Sequence, residues 1–384
     1  MMTTTIDNSV FETMHKNEAW MFTNVSALSK IDFVDHGEFD LETVNQFDIE
    51  PDNPLVVFVN GVYQEEFSRC VEGVKLNSGI LGAIASRGDS QIPRGESDTL
   101  TITGNQETTI HVLQIVAGSN PVACFANIHI HAAESETISV AETHVAIGDC
   151  NHLFMPCTEV VAEKNAIVTL VKAIRGSKMA YHLGSLHVMQ HESSKVQTHT
   201  ITLGSKCSRN EVYAYLDGER CESNFDGMYM LGKDQFVDNH LRVEHNEAIG
   251  NSREFYKGVL DENAKSVFTG RIYVKEDAQQ TDAKQTNQNI ILSDEAQATA
   301  RPQLEIYADD VKCTHGATTG EIDAEAMLYL QTRGIPADAA RTLLIYAFLN
   351  ESLDELHDDA FRSVLAEELL SNLPGGDFIR SLYL

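Results

Sequence analysis

From about residue 55 to residue 310 the chain is a succession of short apolar runs with polar breaks, and no long helical periodicity interrupts it. Leu55-Val56-Val57-Phe58-Val59 ends at Asn60-Gly61, a dipeptide that favours a tight hairpin turn. Alternating runs follow at Leu100/Ile102, Ile110/Val112, Ile128/Ile130, Ile138/Val140, Ile167 to Val171, Val212 to Tyr215, Leu241/Val243, Ile272 to Val274 and Leu304/Ile306. Asn, Gly, Asp and Ser separate them, and between residues 94 and 301 the only prolines are Pro121 and Pro156. Strands without intervening amphipathic helices exclude a βαβ architecture. A sandwich or barrel seldom needs so many short strands. A β-helix, in which each coil contacts only its neighbours, accommodates them. No clean sequence repeat decides between these from pattern alone.

The flanks read differently. Residues 1 to about 50 mix short amphipathic stretches with turns and hold the single Trp, Trp20, expected as a core anchor. From about 321 to 373 the period becomes helical. Asp323 is the expected N-cap of a helix containing Met327, Leu328 and Leu330, Gly334 its stop, and Pro336 the opening of the next. Ala340, Leu343, Leu344, Ala347 and Phe348 form an apolar stripe expected to pack at least in part on the β body. A third helix is expected from about Leu353 to Leu373, ended by Pro374-Gly375-Gly376. The expected divisions are 1–95, a helical and mixed N-terminal region; 96–318, the β core; and 319–384, a helical domain.

The chain has 384 residues, 28 Lys+Arg and 57 Asp+Glu, for a net charge of -29. Such a surface repels nucleic acid and anionic membranes. No stretch reaches the ~20 apolar residues of a spanning helix, and Met1 to Trp20 lacks the apolar core of a signal peptide. A cytoplasmic protein is the expectation. Seven cysteines (70, 124, 150, 157, 207, 221 and 313) are scattered and odd in number, which reads as reduced, mostly buried thiols rather than a disulfide framework.

The sequence has no phosphate-binding loop, no H-E-x-x-H, no EF-hand loop and no G-x-S-x-G elbow. His129 and His131 share one strand face opposite Ile128 and Ile130, but no third ligand stands at metal-site spacing. His240 and His245, five apart, point to opposite faces of a straight strand. Cys313 and His315 differ: at i and i+2 they present sulfur and imidazole on one side, the donors that iron, copper and zinc prefer. Lys312 is expected to favour the thiolate modestly, and Gly316-Ala317-Thr318 leaves room for close approach. Two donors do not close a site, so the missing ligands must come from elsewhere, most simply a partner subunit.

Several separated segments resemble one family. They are Ser208 to Glu211, Phe236 to His245, Ser252 to Leu260, Phe268 to Val274, Ala278 to Ala283, Gln303 to Gly320 and Tyr329 to Ile335, with weaker matches at Glu18 to Val25 and Leu55 to Gly61. Together they resemble the SufB/SufD scaffold subunits of the SUF iron–sulfur cluster assembly system. Members of the SufB branch carry a Cys shortly before the equivalent of Pro302 and a His-Glu pair. Residues 294–301 here lack Cys, and Gly316 follows His315, so the likeness is to the SufD branch. The resemblance implies a mainly β fold, a right-handed parallel β-helix with helical ends. It implies a non-enzymatic scaffold paired with SufB through the end of the β-helix, and a SufC ATPase on the C-terminal helices, about 321–356. No cofactor is implied for the isolated chain. A transient iron–sulfur cluster or iron is implied at the SufB interface, with His315, and Cys313 beside it, facing that partner and His315 as the shared metal ligand. A homodimer is compatible in isolation. The rival readings are a β-helix hydrolase of polysaccharide, for which Asp309-Asp310 is the tempting carboxylate pair, and a homodimeric scaffold that works without SufB.

Overall fold

The computed structural model describes residues 6–35, 37–39, 41–49, 53–69, 72–105, 108–356, 358–373 and 375–383. The described residues form nineteen strands. In chain order they are β1 (Leu55–Val59), β2 (Val62–Tyr63), β3 (Val74–Gly79), β4 (Ser97–Thr103), β5 (Ile110–Ala117), β6 (Ala123–Ala132), β7 (Thr137–Ile147), β8 (Leu153–Ala162), β9 (Ile167–Gly176) and β10 (Tyr181–Gln190). The remainder are β11 (Lys195–Thr202), β12 (Cys207–Leu216), β13 (Glu222–Leu231), β14 (Phe236–His245), β15 (Asn251–Leu260), β16 (Lys265–Val274), β17 (Asp282–Ile291), β18 (Gln297–Ile306) and β19 (Lys312–Gly320). Odd-numbered strands from β5 to β19 stack in one sheet and even-numbered strands from β4 to β18 in another, each strand pairing in parallel with the one two places on. The result is a parallel β-solenoid of about eight turns. The sheets reach back N-terminal of residue 96, since β1 and β3 lie in them.

The register explains why no repeat is legible. Cys207, Phe236 and Lys265 stack in order at steps of 29 residues, but the next step, to Gln297, is 32. Coils of nearly constant length thus conserve side-chain direction rather than identity. A column of residues with left-handed backbone (Ser135, Asn165, Ser193, Arg220, Ile249 and Gln280) marks one corner of successive coils. Each donates its N–H to a carbonyl of the next coil, as Asn165 does to Glu192 and Ile249 to Gln279. The Asn and Ser of the polar breaks suit this conformation.

The lumen holds the main core, from Val56, Leu100 and Ile102 through Val140, Leu170 and Val212 to Tyr256 and Phe268. The N-terminal segment lies on the outer face of the even-numbered sheet. Phe11, Trp20 and Leu28 are fully buried there with Phe125, Met155 and Leu183. Trp20 is the anchor expected, stacked on the buried Arg209 guanidinium at 4.1 Å. Arg209 pairs with Glu211 and Asp238, and Asp238 also accepts from Thr23.

At the other end come α1 of the helical region, Ala324–Thr332, then α2 (Ala337–Leu353), α3 (Asp359–Ser371) and α4 (Gly376–Tyr383). Asp323 caps α1 through the N–H groups of Glu325 and Ala326, and Gly334 has φ +87°, as a stop after α1 requires. The third expected helix is one helix that starts later, at Asp359 after the Asp358 cap, and ends at Ser371; a further helix, α4, follows Gly375, and Pro374 lies outside the described residues. The expected stripe on α2 is also offset. Of its members only Ala340 is buried, and the packed face runs through Thr342, Ile345, Leu349 and Leu353. The helix is apolar on more than one side. The side that packs is set by the outer face of the odd-numbered sheet, where Ala141, Val171, Ala173, Ile201, Met228 and Val259 receive it.

Candidate functional site

Cys313 and His315 lie on β19, the last strand of the odd-numbered sheet. β19 hydrogen-bonds β17 on one side and no strand on the other, and β18 likewise ends the even-numbered sheet. Pro302, which has no N–H to donate, is tolerated in β18 because that strand is an edge. Apart from Cys313, every residue of β19 is exposed. The last coil therefore offers unpaired backbone groups, the kind of edge to which another chain can add. A Cβ at Gly316 would meet nothing within 4 Å, so approach there is open.

The two side chains do lie on one strand face. Cys313 is half-buried and packs with Ile272, Ala283 and Ala308 at the end of the lumen. Burial pushes its thiol above the ordinary value, a hydrogen bond with the Ala283 backbone opposes this, and Asp282 adds to the rise. This corrects the expectation that Lys312 favours the thiolate: Lys312 is the adjacent strand residue and projects to the opposite face. His315 is exposed at the mouth of the lumen. Among the described residues, no group of three or more His, Cys, Asp or Glu side chains is arranged to hold a metal ion.

Beneath His315 runs a lumen column that the sequence did not disclose. Read along the register it is Ile110, Val140, Leu170, Thr198, Phe225, Glu254, Gln285 and His315. From Ile110 to Phe225 it is aliphatic or aromatic except at Thr198, and it is polar in the last three coils. Gln285 Nε2 donates to Glu254 Oε2 at 2.5 Å, and both residues are buried. Burial pushes the Glu254 carboxyl up to about 7. Only a sequence reading that already knew the coil length could have aligned these residues.

The other candidates fall apart. His129 and His131 stack outside the lumen, ring centroids 6.2 Å apart, with His131 near Glu163 at 3.5 Å, while Ile128 and Ile130 face the core. His245 is buried and bonds Ser252 Oγ at 2.9 Å, whereas His240 lies against the Tyr213 ring, so the pair is split between faces as expected. Asp309 and Asp310 sit in the bend between β18 and β19, not on a strand, and Gln279 Oε1 accepts from the Asp310 N–H. A mid-lumen cluster was not anticipated. Glu142 bonds His144 Nε2 at 2.9 Å, His144 Nδ1 meets His182 Nε2 at 2.8 Å, and Lys172 stands 3.4 Å from Glu142. Burial alone would raise the Glu142 carboxyl, but Lys172 and His144 overcome it and hold it near 2. The thiols of Cys124, Cys157, Cys207 and Cys221 are free and buried, as expected; Cys70 lies outside the described residues.

Fold and site together define a class: a parallel β-solenoid whose last coil is open and carries a thiol and an imidazole at the exposed edge. The SufBD core domain of the SUF system for FeS cluster assembly matches residues 114–348. The iron-sulfur cluster assembly protein SufD of Escherichia coli (strain K12) is 29% identical over 377 residues, covering 94% of this chain and 89% of its own. A SufBD family protein of Synechocystis is 28% identical over 376 residues, covering 89% and 83%. SufD of Bacillus subtilis is 27% identical over 246 residues, covering 62% and 55%. The chain belongs to the SufB/SufD family of SUF iron–sulfur cluster assembly proteins. No described helix is long and apolar enough to cross a membrane.

Proposed function

We propose that this chain is the SufD-type scaffold subunit of a SUF complex, non-enzymatic itself, with ATP hydrolysis in a SufC partner. It pairs with a SufB subunit through the open coil formed by β18 and β19, and the nascent cluster is built at that junction as cargo. His315 serves there as a ligand to iron or a carrier of protons, with Cys313 beside it. The observation that carries this reading is the pairing of an unpartnered strand edge with an incomplete donor set on the same strand. A site with two donors at an open edge becomes useful when a second chain supplies the rest.

The SufC partner docks on the region 321–356. In support, α1 buries no side chain, and Leu328 and Tyr329 are 62% and 58% exposed. A helix that contributes nothing to its own protein's core is available to another. The cluster is transient and the isolated chain holds no resident cofactor in this reading.

Co-expression of the full chain with the SufB-like and SufC-like proteins of the same organism, followed by the mass of the purified assembly, tests the pairing. An assembly containing all three is expected. Recovery of the chain alone, with neither partner, would overturn it. In that assembly His315→Ala is expected to leave the mass unchanged and to abolish cluster formation.

A further inference from the structure

The column beneath His315 ends in polar atoms with nothing to bond. Glu254 Oε1 and Gln285 Oε1 are both buried without a hydrogen-bond partner. An unsatisfied buried acceptor is costly, so such atoms invite an explanation. Two observations place that explanation at His315. Gln285 is the register partner of His315 on the adjacent strand, and the two side chains share a face. The amide is also held: its Nε2 end is committed to Glu254 Oε2, so its Oε1 end is the one left free. Room for the pair is made from the facing sheet, because a Cβ at Gly270 would collide with the Gln285 amide and the Glu254 carboxylate. Behind them Phe225, fully buried, closes the column. The pair therefore faces one way, toward the open coil.

We propose that Gln285 and Glu254 are positioning residues for His315: the free Oε1 of Gln285 accepts the ring N–H of His315 as the ring turns down over the lumen, and Glu254 fixes which end of the amide is offered. The consequence is a single imidazole tautomer. With one ring nitrogen committed as donor to Gln285, the other carries the lone pair and points out of the open end, where a metal ion or a proton must be met. A histidine on an exposed edge would otherwise exchange between tautomers and rotamers, and only part of its population would be oriented for ligation. Burial of Glu254 among Phe225 and Tyr256 keeps water from competing for the amide. This inference rests on the role given to His315 above, but it can fail independently of it.

The test is nitrogen-15 NMR of histidine side chains in the full chain, with the His315 signals assigned by their loss in His315→Ala. In the wild type, one His315 tautomer is expected to dominate. Gln285→Leu removes the acceptor, and the tautomer ratio is expected to move by about two- to tenfold, the equivalent of one hydrogen bond. Glu254→Gln is nearly isosteric and lets the Gln285 amide bond in either sense, so a smaller change in the same direction is expected. It keeps the proposal open to refutation if Gln285→Leu does not fold. His315 signals unchanged in the folded variants would overturn the positioning role, whatever the complex does. Conversely, a His315→Ala complex that still builds clusters would overturn the reading of His315 while leaving the tautomer result standing.

Discussion

At the scale of single residues, backbone strain and anchoring give the sharpest expectations. Ile249 is the β-branched member of the left-handed corner column, with φ +63°, and it is exposed. An L-residue there costs roughly 1–2 kcal/mol, and Asn bears that conformation more readily. Ile249→Asn is therefore expected to stabilise the protein by about 1 kcal/mol, read as a higher urea midpoint with an unchanged slope. A lower midpoint would show that the Ile249 side chain contributes more by packing than its exposure suggests. Trp20 is the opposite case. It is legible in the sequence as an anchor because Trp is usually buried, and Trp20→Ala is expected to cost about 3–5 kcal/mol. The loss would also uncover the Arg209 guanidinium, whose partners Glu211 and Asp238 lie on the sheet it helps to cover. The pairing of Cys313 and His315 was legible because strand geometry alone puts i and i+2 together. The contribution of Gln285 and Glu254 was not, because it depends on which coil stacks on which.

At the scale of elements, α1 stands apart from its neighbours. Asp323 supplies its cap, yet no residue of it is fully buried; only Ala326, Met327 and Leu330 are half-buried, and the helix touches α2. Isolated helices of that length are marginal. Amide exchange in α1 is expected to be fast in the chain alone and slowed severalfold in the assembled complex, and a Leu328→Asp, Tyr329→Ser double substitution is expected to leave the unfolding free energy from urea titration within about 0.5 kcal/mol of wild type while weakening capture of the SufC-like partner. Equal capture by that variant would remove α1 from the proposed contact. Legibility follows the burial of each element. β4, β5, β6 and β7 show in the sequence because one face is aliphatic. β10 is buried on both faces and carries Ser185 and His187 at outward positions, so alternation is lost there, whereas in β12 only Val212 to Tyr215 shows, beyond the outward Arg209 and Glu211. The helical stripe is right only in part, through Ala340 and Phe348, for a related reason: α2 has apolar residues on two sides, and the sequence alone does not say which side meets the sheet.

At the scale of the whole molecule, titration of the interior decides where the protein is stable. His111 and His245 are held near 4, and His187 and His199 near 3, in each case because burial disfavours the imidazolium. Their ordinary value is 6.5, so below that pH the unfolded chain binds protons that the folded chain refuses. The stability these groups contribute is present above pH 6.5 and is lost as pH falls toward 4 and 3. Two buried carboxyls act in the other direction. Glu254, raised by burial from 4.5 to about 7, and Asp226, raised by burial from 3.8 to about 6 against the pull of Arg253, bind protons first in the folded state. Their contribution is full at low pH and is lost as pH rises through those values. Between pH 6.5 and 5.5 each histidine costs about 1 kcal/mol, and the two carboxyls together return about half of the total. The histidines prevail, and because burial also lowers His144, His152, His182 and His240, unfolding free energy is expected to fall by at least roughly 2 kcal/mol across that single unit. Urea unfolding at both pH values measures this directly, and His111→Gln with His199→Gln should flatten the slope without requiring the open coil or any partner. A stability that stayed constant or rose on acidification would mean that the carboxyls outweigh the histidines, and hence that the lumen near Glu254, rather than the sheet under the helices, governs the acid limit.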